Sequence, residues 1–186
     1  MKCKSQKKLF GIITASVLTL VLFIGMSISL TTYGAEQINY VERRWSDSQV
    51  VETTKTAECT PISSCGSTLS DGWYYVDQDK SYGAPDRLYI NGTINLILCD
   101  GKTLTCNDGI NVSSTATLNI YGQAGGTGTL IAKGDTNNCA AIGGKNGQSC
   151  GTVVIHGGNV KADGYNDNEG EDGAGIGGGE VAQEVI

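Results

Sequence analysis

The chain has 186 residues, of which 13 are basic and 19 acidic, giving a net charge of −6 at neutral pH. This is enough for one domain with a packed core behind a leader segment. Beyond the first eight residues no Lys/Arg cluster exists, and the acidic balance argues against nucleic acid or an anionic membrane surface as partner.

Lys2, Lys4, Lys7 and Lys8 open the chain, an uncharged and mostly apolar stretch runs from Leu9 to Leu30, and Thr31-Thr32-Tyr33-Gly34-Ala35 follows. This order reads as an export signal spanning residues 1–35, cut after Gly34 or Ala35, and it implies a secreted or cell-surface location. An uncleaved N-terminal anchor is the alternative, because Tyr33 suits a cut after Ala35 poorly and the apolar run is long. Any membrane contact would then run through that segment alone. Cys3 precedes the apolar run, which leaves a lipoprotein reading without support. Removing residues 1–35 takes away four lysines and no acid, leaving nine basic against 19 acidic residues and a net charge of about −10.

Residues 36–58 are polar and charged with no period of 2 or 3.6, so they are expected to form a linker or a loose lead-in. From Cys59 to the end, residues 59–186, the composition changes. Between Gly101 and Gly179 lie 20 of the 27 glycines, alternating with short β-branched runs, and Pro is nearly absent. Collagen is excluded because Gly does not recur at every third position. Simple disorder does not explain apolar residues at matching offsets in successive copies.

Those copies are explicit. Ala140-Ala141-Ile142-Gly143-Gly144 returns 34 residues later as Ala174-Gly175-Ile176-Gly177-Gly178, Thr117–Gly122 matches Thr152–Gly157, and Gly128–Gly134 matches Gly158–Gly164. At period 2 the runs place Leu96, Leu98, Leu104, Ile110, Leu118, Ile120, Leu130, Val153, Ile155 and Val160 on one face. Each run carries two or three such residues, too few for a strand to be stable alone, so the runs must stack with Gly at the corners. The expected fold is all-β, a right-handed parallel β-helix of short Gly-rich repeats. A β-sandwich is the second choice, disfavoured because it would usually show longer strands joined by hairpin turns. Ile142 and Ile176 are expected to point inward while their flanking glycines turn the chain. Gly143→Val and Gly177→Val should therefore each cost about 1–3 kcal/mol.

The runs Asp71–Val76, Ile94–Thr105, Gly109–Ser113 and Leu118–Gly122, with the Ala-Gly-Ile-Gly-Gly-Gly ending, resemble the repetitive β-helical surface proteins of gut Firmicutes, a family of carbohydrate-binding-domain or adhesin-like proteins. The resemblance covers about residues 59 to 179. It implies a secreted or wall-associated right-handed β-helix, here as an N-terminal fragment, since another Gly-Gly-Thr-Val-Thr-Ile rung would follow Gly179 in that pattern.

Chemistry is sparse. His156 is the sole histidine and aligns with Tyr121, a surface or structural position. With one histidine and no C-x-x-C pair, a tetrahedral metal site is not expected, and no G-x-S-x-G elbow marks a serine hydrolase. Six cysteines follow Cys3. Cys139 with Cys150, flanking a Gly-rich loop, is the first expected disulfide and Cys59 with Cys65 the second; buried free thiols are the alternative. Asp163, Asp167, Glu169, Glu171 and Asp172 form an acidic loop that could attract Ca²⁺, but the register fits neither an EF-hand nor a calcium β-roll, so no cofactor is required. Trp73, Tyr75, Tyr82 and Tyr89 could stack on sugar rings or cap the first coil of the core. The expected function is non-catalytic binding of an extracellular glycan or a host or cell-wall surface. A purely structural stalk is one alternative. A fragment of a glycan-active lyase or hydrolase is the other, for which Asp100 and Asp108 are the only acid candidates.

Overall fold

The computed structural model describes residues 35–83, 85–134, 138–165 and 173–179. They belong to one of two units of the chain, Gly34–Ile186; the other, Met1–Tyr33, carries the expected export segment and lies outside the described residues. Among the described residues there are only strands, turns and bends, and no helix is long and apolar enough to cross a membrane.

The first two strands correct the expected linker. β1 (Glu36–Ser46) and β2 (Gln49–Pro61) form an antiparallel hairpin paired along its whole length, from Ser46 opposite Gln49 to Glu36 opposite Cys59. Asp47 and Ser48 turn it with φ of 50° and 66°, the left-handed pair that matches strand twist in a two-residue loop. Cross-strand polar pairs fix the register: Arg43 Nε lies 2.6 Å from Glu52 Oε1 and Lys55 Nζ 2.8 Å from Glu42 Oε2, while Thr56 Oγ1 donates to Asn39 Oδ1 at 2.7 Å.

Thirteen short strands follow among the described residues: β3 (Thr68–Leu69), β4 (Gly72–Val76), β5 (Lys80–Tyr82), β6 (Leu88–Ile90), β7 (Thr93–Leu98), β8 (Thr103–Cys106), β9 (Ile110–Val112), β10 (Thr117–Gly122), β11 (Thr129–Lys133), β12 (Ile142–Gly143), β13 (Thr152–Ile155), β14 (Asn159–Asp163) and β15 (Ile176–Gly177). They make three sheets. The first has the order β1-β2-β4-β7-β10-β13, the second β5-β8-β11-β14, and the third β3-β6-β9-β12-β15. From β3 onward the chain visits the third, first and second sheets in strict rotation, and every pairing in this part is parallel, to the strand three places on. β1 also meets β10 at one position, Val41 opposite Gly122, so that β1, β2, β4, β7 and β10 close into a ring of five strands.

Stacking aligns like residues. Ile94 lies beside Leu118, Leu96 beside Ile120, and Leu104 beside Leu130. These side chains, with Leu98, Ile110, Val112, Ala132 and Ile142, have essentially no contact with solvent. Each large one contributes roughly 1.5–3 kcal/mol relative to exposure. The expected interior is therefore observed through the middle circuits and fails at the last. Val153 and Val160 are only partly buried, while Ile155 and Ile176 are 47% and 45% exposed, because β13, β14 and β15 are the last strands of their sheets and no described strand stacks beyond them.

A second apolar cluster lies outside the stack. Ile38, Tyr40 and Cys59 of the hairpin pack on Tyr75, Ile97 and Tyr121, which alternate with the inward residues of the first sheet. Four rings run through it: Tyr40 is 4.7 Å from Trp73 and 4.8 Å from Tyr121, and His156 stacks on Tyr121 at 4.5 Å with planes 3° apart. The hairpin thus covers the outer face of the first sheet.

Candidate functional site

The outer face of the third sheet carries Thr68, Tyr89, Asn111, Gly143 and Gly177 in register. Tyr89 points out because its neighbours Leu88 and Ile90 fill the core. Beyond Gly143 the chain loops through residues 144–147, and Gly144 N–H bonds Gly177 O at 2.9 Å. The loop returns Lys145 across Asn111 to Tyr89, where Nζ sits 4.7 Å from the ring centroid, a cation–π contact. Asn111 itself is buried and donates to Gly143 O at 3.2 Å.

Beside this pair opens a cleft of about 460 Å³ lined by Pro85, Arg87, Tyr89, Asp108, Cys139, Lys145 and Asn146. Its floor is built by Arg87, only 2% exposed. The guanidinium donates to Asp108 O at 2.8 Å, Ala140 O at 2.6 Å and Ile110 O at 3.4 Å. A buried cation is costly unless its donors are met, and here main-chain carbonyls from the next two circuits accept from Nη1 and Nη2, while the buried Nε has no acceptor among the described residues. Gly109 makes the arrangement possible: its φ is +76°, and a Cβ there would lie 3.0 Å from Arg87 Nη1 and 2.7 Å from Ala141 O. The cleft thus presents an aromatic edge, an ammonium group, a carboxamide and one carboxyl group, a set suited to a small polar or hydroxyl-rich ligand.

The four expected aromatic residues separate. Trp73 and Tyr75 come together, but beneath the hairpin: Tyr75 is 5% exposed and its hydroxyl donates to Glu36 Oε2 at 2.8 Å. Burial and this contact raise the Tyr75 phenol far above its usual pKa. Tyr82 faces inward, level with Cys106, and donates to Ser63 O at 3.1 Å. Tyr89 is the one of the four that lines the cleft beside Lys145.

The expected acid pair also separates in role. Asp100 accepts from Gly125 N at 2.8 Å, Thr127 N at 3.0 Å and Thr127 Oγ1 at 3.3 Å. Desolvation would raise its pKa, yet these hydrogen bonds prevail and hold it below the usual carboxylate range. The same device recurs at other corners, where Asp71 accepts from Thr93 N at 2.5 Å and Asp79 from Thr103 N at 2.8 Å. These carboxylates tie one circuit to the next. Asp108 lines the cleft.

Among the expected calcium ligands, Asp163 ends β14 with its carboxylate 3.1 Å from Lys161 Nζ; Asp167, Glu169, Glu171 and Asp172 lie outside the described residues. Among the described residues no group of three or more His, Cys, Asp or Glu converges. No disulfide joins Cys139 to Cys150 or Cys59 to Cys65. Cys59 belongs to the cluster under the hairpin and Cys65 to the interior, so the second expected pair is divided by the wall of the stack.

Arg87 and Lys145 were not among the expected site residues. The signal at Arg87 is a lone cation directly before the apolar run Leu88-Tyr89-Ile90, and Lys145 is the one charged residue in the Gly143–Gly147 loop. No family model matches this chain, and no curated protein or solved structure was found to be similar to it.

Proposed function

We propose that this chain is a secreted or cell-surface, non-catalytic binding module built as a right-handed parallel β-helix, and that it takes a carbohydrate in the cleft beside Tyr89. The rotation of β3 to β15 through three sheets, with parallel pairing among those strands, supports a helical winding, and the resemblance to repetitive adhesin-like surface proteins supports its hand, the location and the ligand class. The observation that carries the site is the open cleft where Tyr89, Lys145, Asp108 and Asn146 meet. A ring edge with flanking hydrogen-bonding groups fits a sugar, and a shallow opening buries little of it, so affinity is weak. The enzyme alternative loses support because Asp100 is already held by three donors at a corner, so the two expected acids do not meet in one cleft.

A glycan array followed by titration of the full chain tests the reading. Binding with a Kd of roughly 0.1–1 mM is expected, weakened at least about tenfold by Tyr89→Ala. That loss corresponds to about 1.4 kcal/mol. Pectin, alginate, mucin and xylan should yield neither reducing ends nor unsaturated products. An array without any bound glycan would sink the binding claim, and turnover abolished by Asp108→Asn would replace it with catalysis.

A further inference from the structure

Cys65 and Cys106 lie 41 residues apart in the chain, yet their sulfur atoms are 3.0 Å apart. Both side chains are buried in the interior cluster. Cys106 occupies the inward row of the second sheet, level with Tyr82 on one side and Ala132 on the other. Cys65 sits in the bend between β2 and β3 and belongs to no strand. The bend is held on both sides of Cys65, by Ile62 N–H to Tyr75 O at 3.1 Å, Tyr82 hydroxyl to Ser63 O at 3.1 Å, Gly66 N–H to Arg87 O at 2.9 Å, Tyr89 N–H to Ser67 O at 3.1 Å and Ser67 Oγ to Ser64 O at 2.7 Å, and none of these bonds uses Cys65 itself.

We propose that Cys65 and Cys106 form a disulfide that pins this bend to the second circuit. The separation exceeds a covalent S–S bond by only about 1 Å, a gap that side-chain rotation and a small shift at Cys65 can close. Two thiols lose two protons and two electrons, and a disulfide donor such as glutathione disulfide accepts the electrons. One cysteine thiolate attacks the donor, releasing a glutathione thiolate; the other cysteine thiolate then attacks the mixed disulfide, forming the protein S–S bond and releasing the second. Timing follows from burial. The contact with Cys65 and then desolvation push the Cys106 thiol strongly upward, which suppresses the thiolate once the core has closed. The link therefore forms during folding and is shielded afterwards from reductants.

The test is to refold the full chain with glutathione disulfide, using mild detergent for the apolar stretch from Leu9 to Leu30. Remaining thiols are alkylated in denaturant without reductant, and peptides are mapped by mass spectrometry. A cross-linked peptide pair containing Cys65 and Cys106, lighter by two hydrogens than the separate peptides, is expected. The oxidised chain should melt about 8–15 °C above the reduced one, and Cys65→Ala should abolish that difference. Alkylation of both Cys65 and Cys106 after oxidative refolding, or their linkage to other cysteines, would overturn the proposal whether or not the variant folds. Equal melting temperatures for oxidised and reduced chain would overturn the claim that the link pins the first circuit.

Discussion

Gly143 and Gly177 occupy the same place in the repeated motif and pair with each other across β12 and β15. Both have positive φ, +144° and +150°, so alanine at either position costs roughly 1–3 kcal/mol in backbone strain. Their surroundings differ. A Cβ at Gly143 would fall 1.9 Å from Gly177 O and 3.1 Å from Cys150 Sγ, whereas a Cβ at Gly177 would have, among the described residues, only Ala174 Cβ nearby, at 3.5 Å. Gly143→Ala must therefore displace the backbone of the next circuit. This weakens Gly144 N–H to Gly177 O and Ile142 N–H to Gly175 O, at 2.9 and 3.0 Å, each worth about 0.5–1.5 kcal/mol net. Overpacking adds about 1–3 kcal/mol. Gly143→Ala is expected to lose roughly 3–9 kcal/mol and Gly177→Ala roughly 1–3 kcal/mol. For a unit of this size the corresponding falls in Tm are about 10–30 °C and 3–9 °C. Urea and thermal melts followed by far-ultraviolet circular dichroism measure both. Losses equal within about 0.5 kcal/mol, or a larger loss at Gly177, would refute the argument that contact between circuits, and not the motif alone, sets the cost.

The corner carboxylates predict an acid dependence. Asp100 has a depressed folded-state pKa, so its contribution is full above the unfolded value near 3.9 and disappears as pH falls through the folded value. Solvent screening limits it to about 1 kcal/mol. Asp100→Asn should lower Tm at pH 7 by about 2–4 °C, with the gap to wild type narrowing toward pH 3; a constant gap would count against the carboxylate's role. The aromatic clamp predicts that Trp73→Ala and Tyr40→Ala each lower Tm by several degrees while leaving glycan affinity within about twofold, measured by melting and titration on the same samples. Loss of affinity with unchanged Tm at Trp73 would return that residue to the ligand-binding face.

The rungs were legible because a half-buried strand announces itself by alternation, and Ile94, Leu96, Leu118 and Ile120 recur in that pattern between glycines. The circuit count was less legible because the circuits differ in length. Paired residues on the first sheet are 22 apart from Gly72 to Ile94, 24 from Ile94 to Leu118 and 35 from Leu118 to Val153. Loops inserted at the corners account for the growth, so only the last copies repeat at a visible 34 residues. Alternation also reports facing and not depth. Ile155 keeps the parity of Ile120, its register partner, but remains nearly half exposed because the stack that would cover it is not among the described strands.

The hairpin escaped for a different reason. Its two strands bury only Ile38, Tyr40, Val41 and Cys59 while exposing most of their other side chains, so neither strand has a continuous alternating pattern to find. Its partners, Trp73, Tyr75, Ile97 and Tyr121, are distant in sequence, and outward aromatics on a parallel sheet look alike whether they face a ligand or a covering strand. Accessory segments therefore decide which wall can bind. The hairpin occupies the first sheet, the loop through Lys145 crosses the third and leaves the Tyr89 cleft at its border, and the second shows Ser81, Thr105, Ile131 and Lys161 partly or fully exposed. That last wall lacks an aromatic ring in its outward row. Under the proposed carbohydrate reading, a glycan seated beside Tyr89 loses affinity in Tyr89→Ala, and one held on the second sheet by hydroxyl contacts would survive Tyr89→Ala and respond instead to substitution of Thr105 or Lys161.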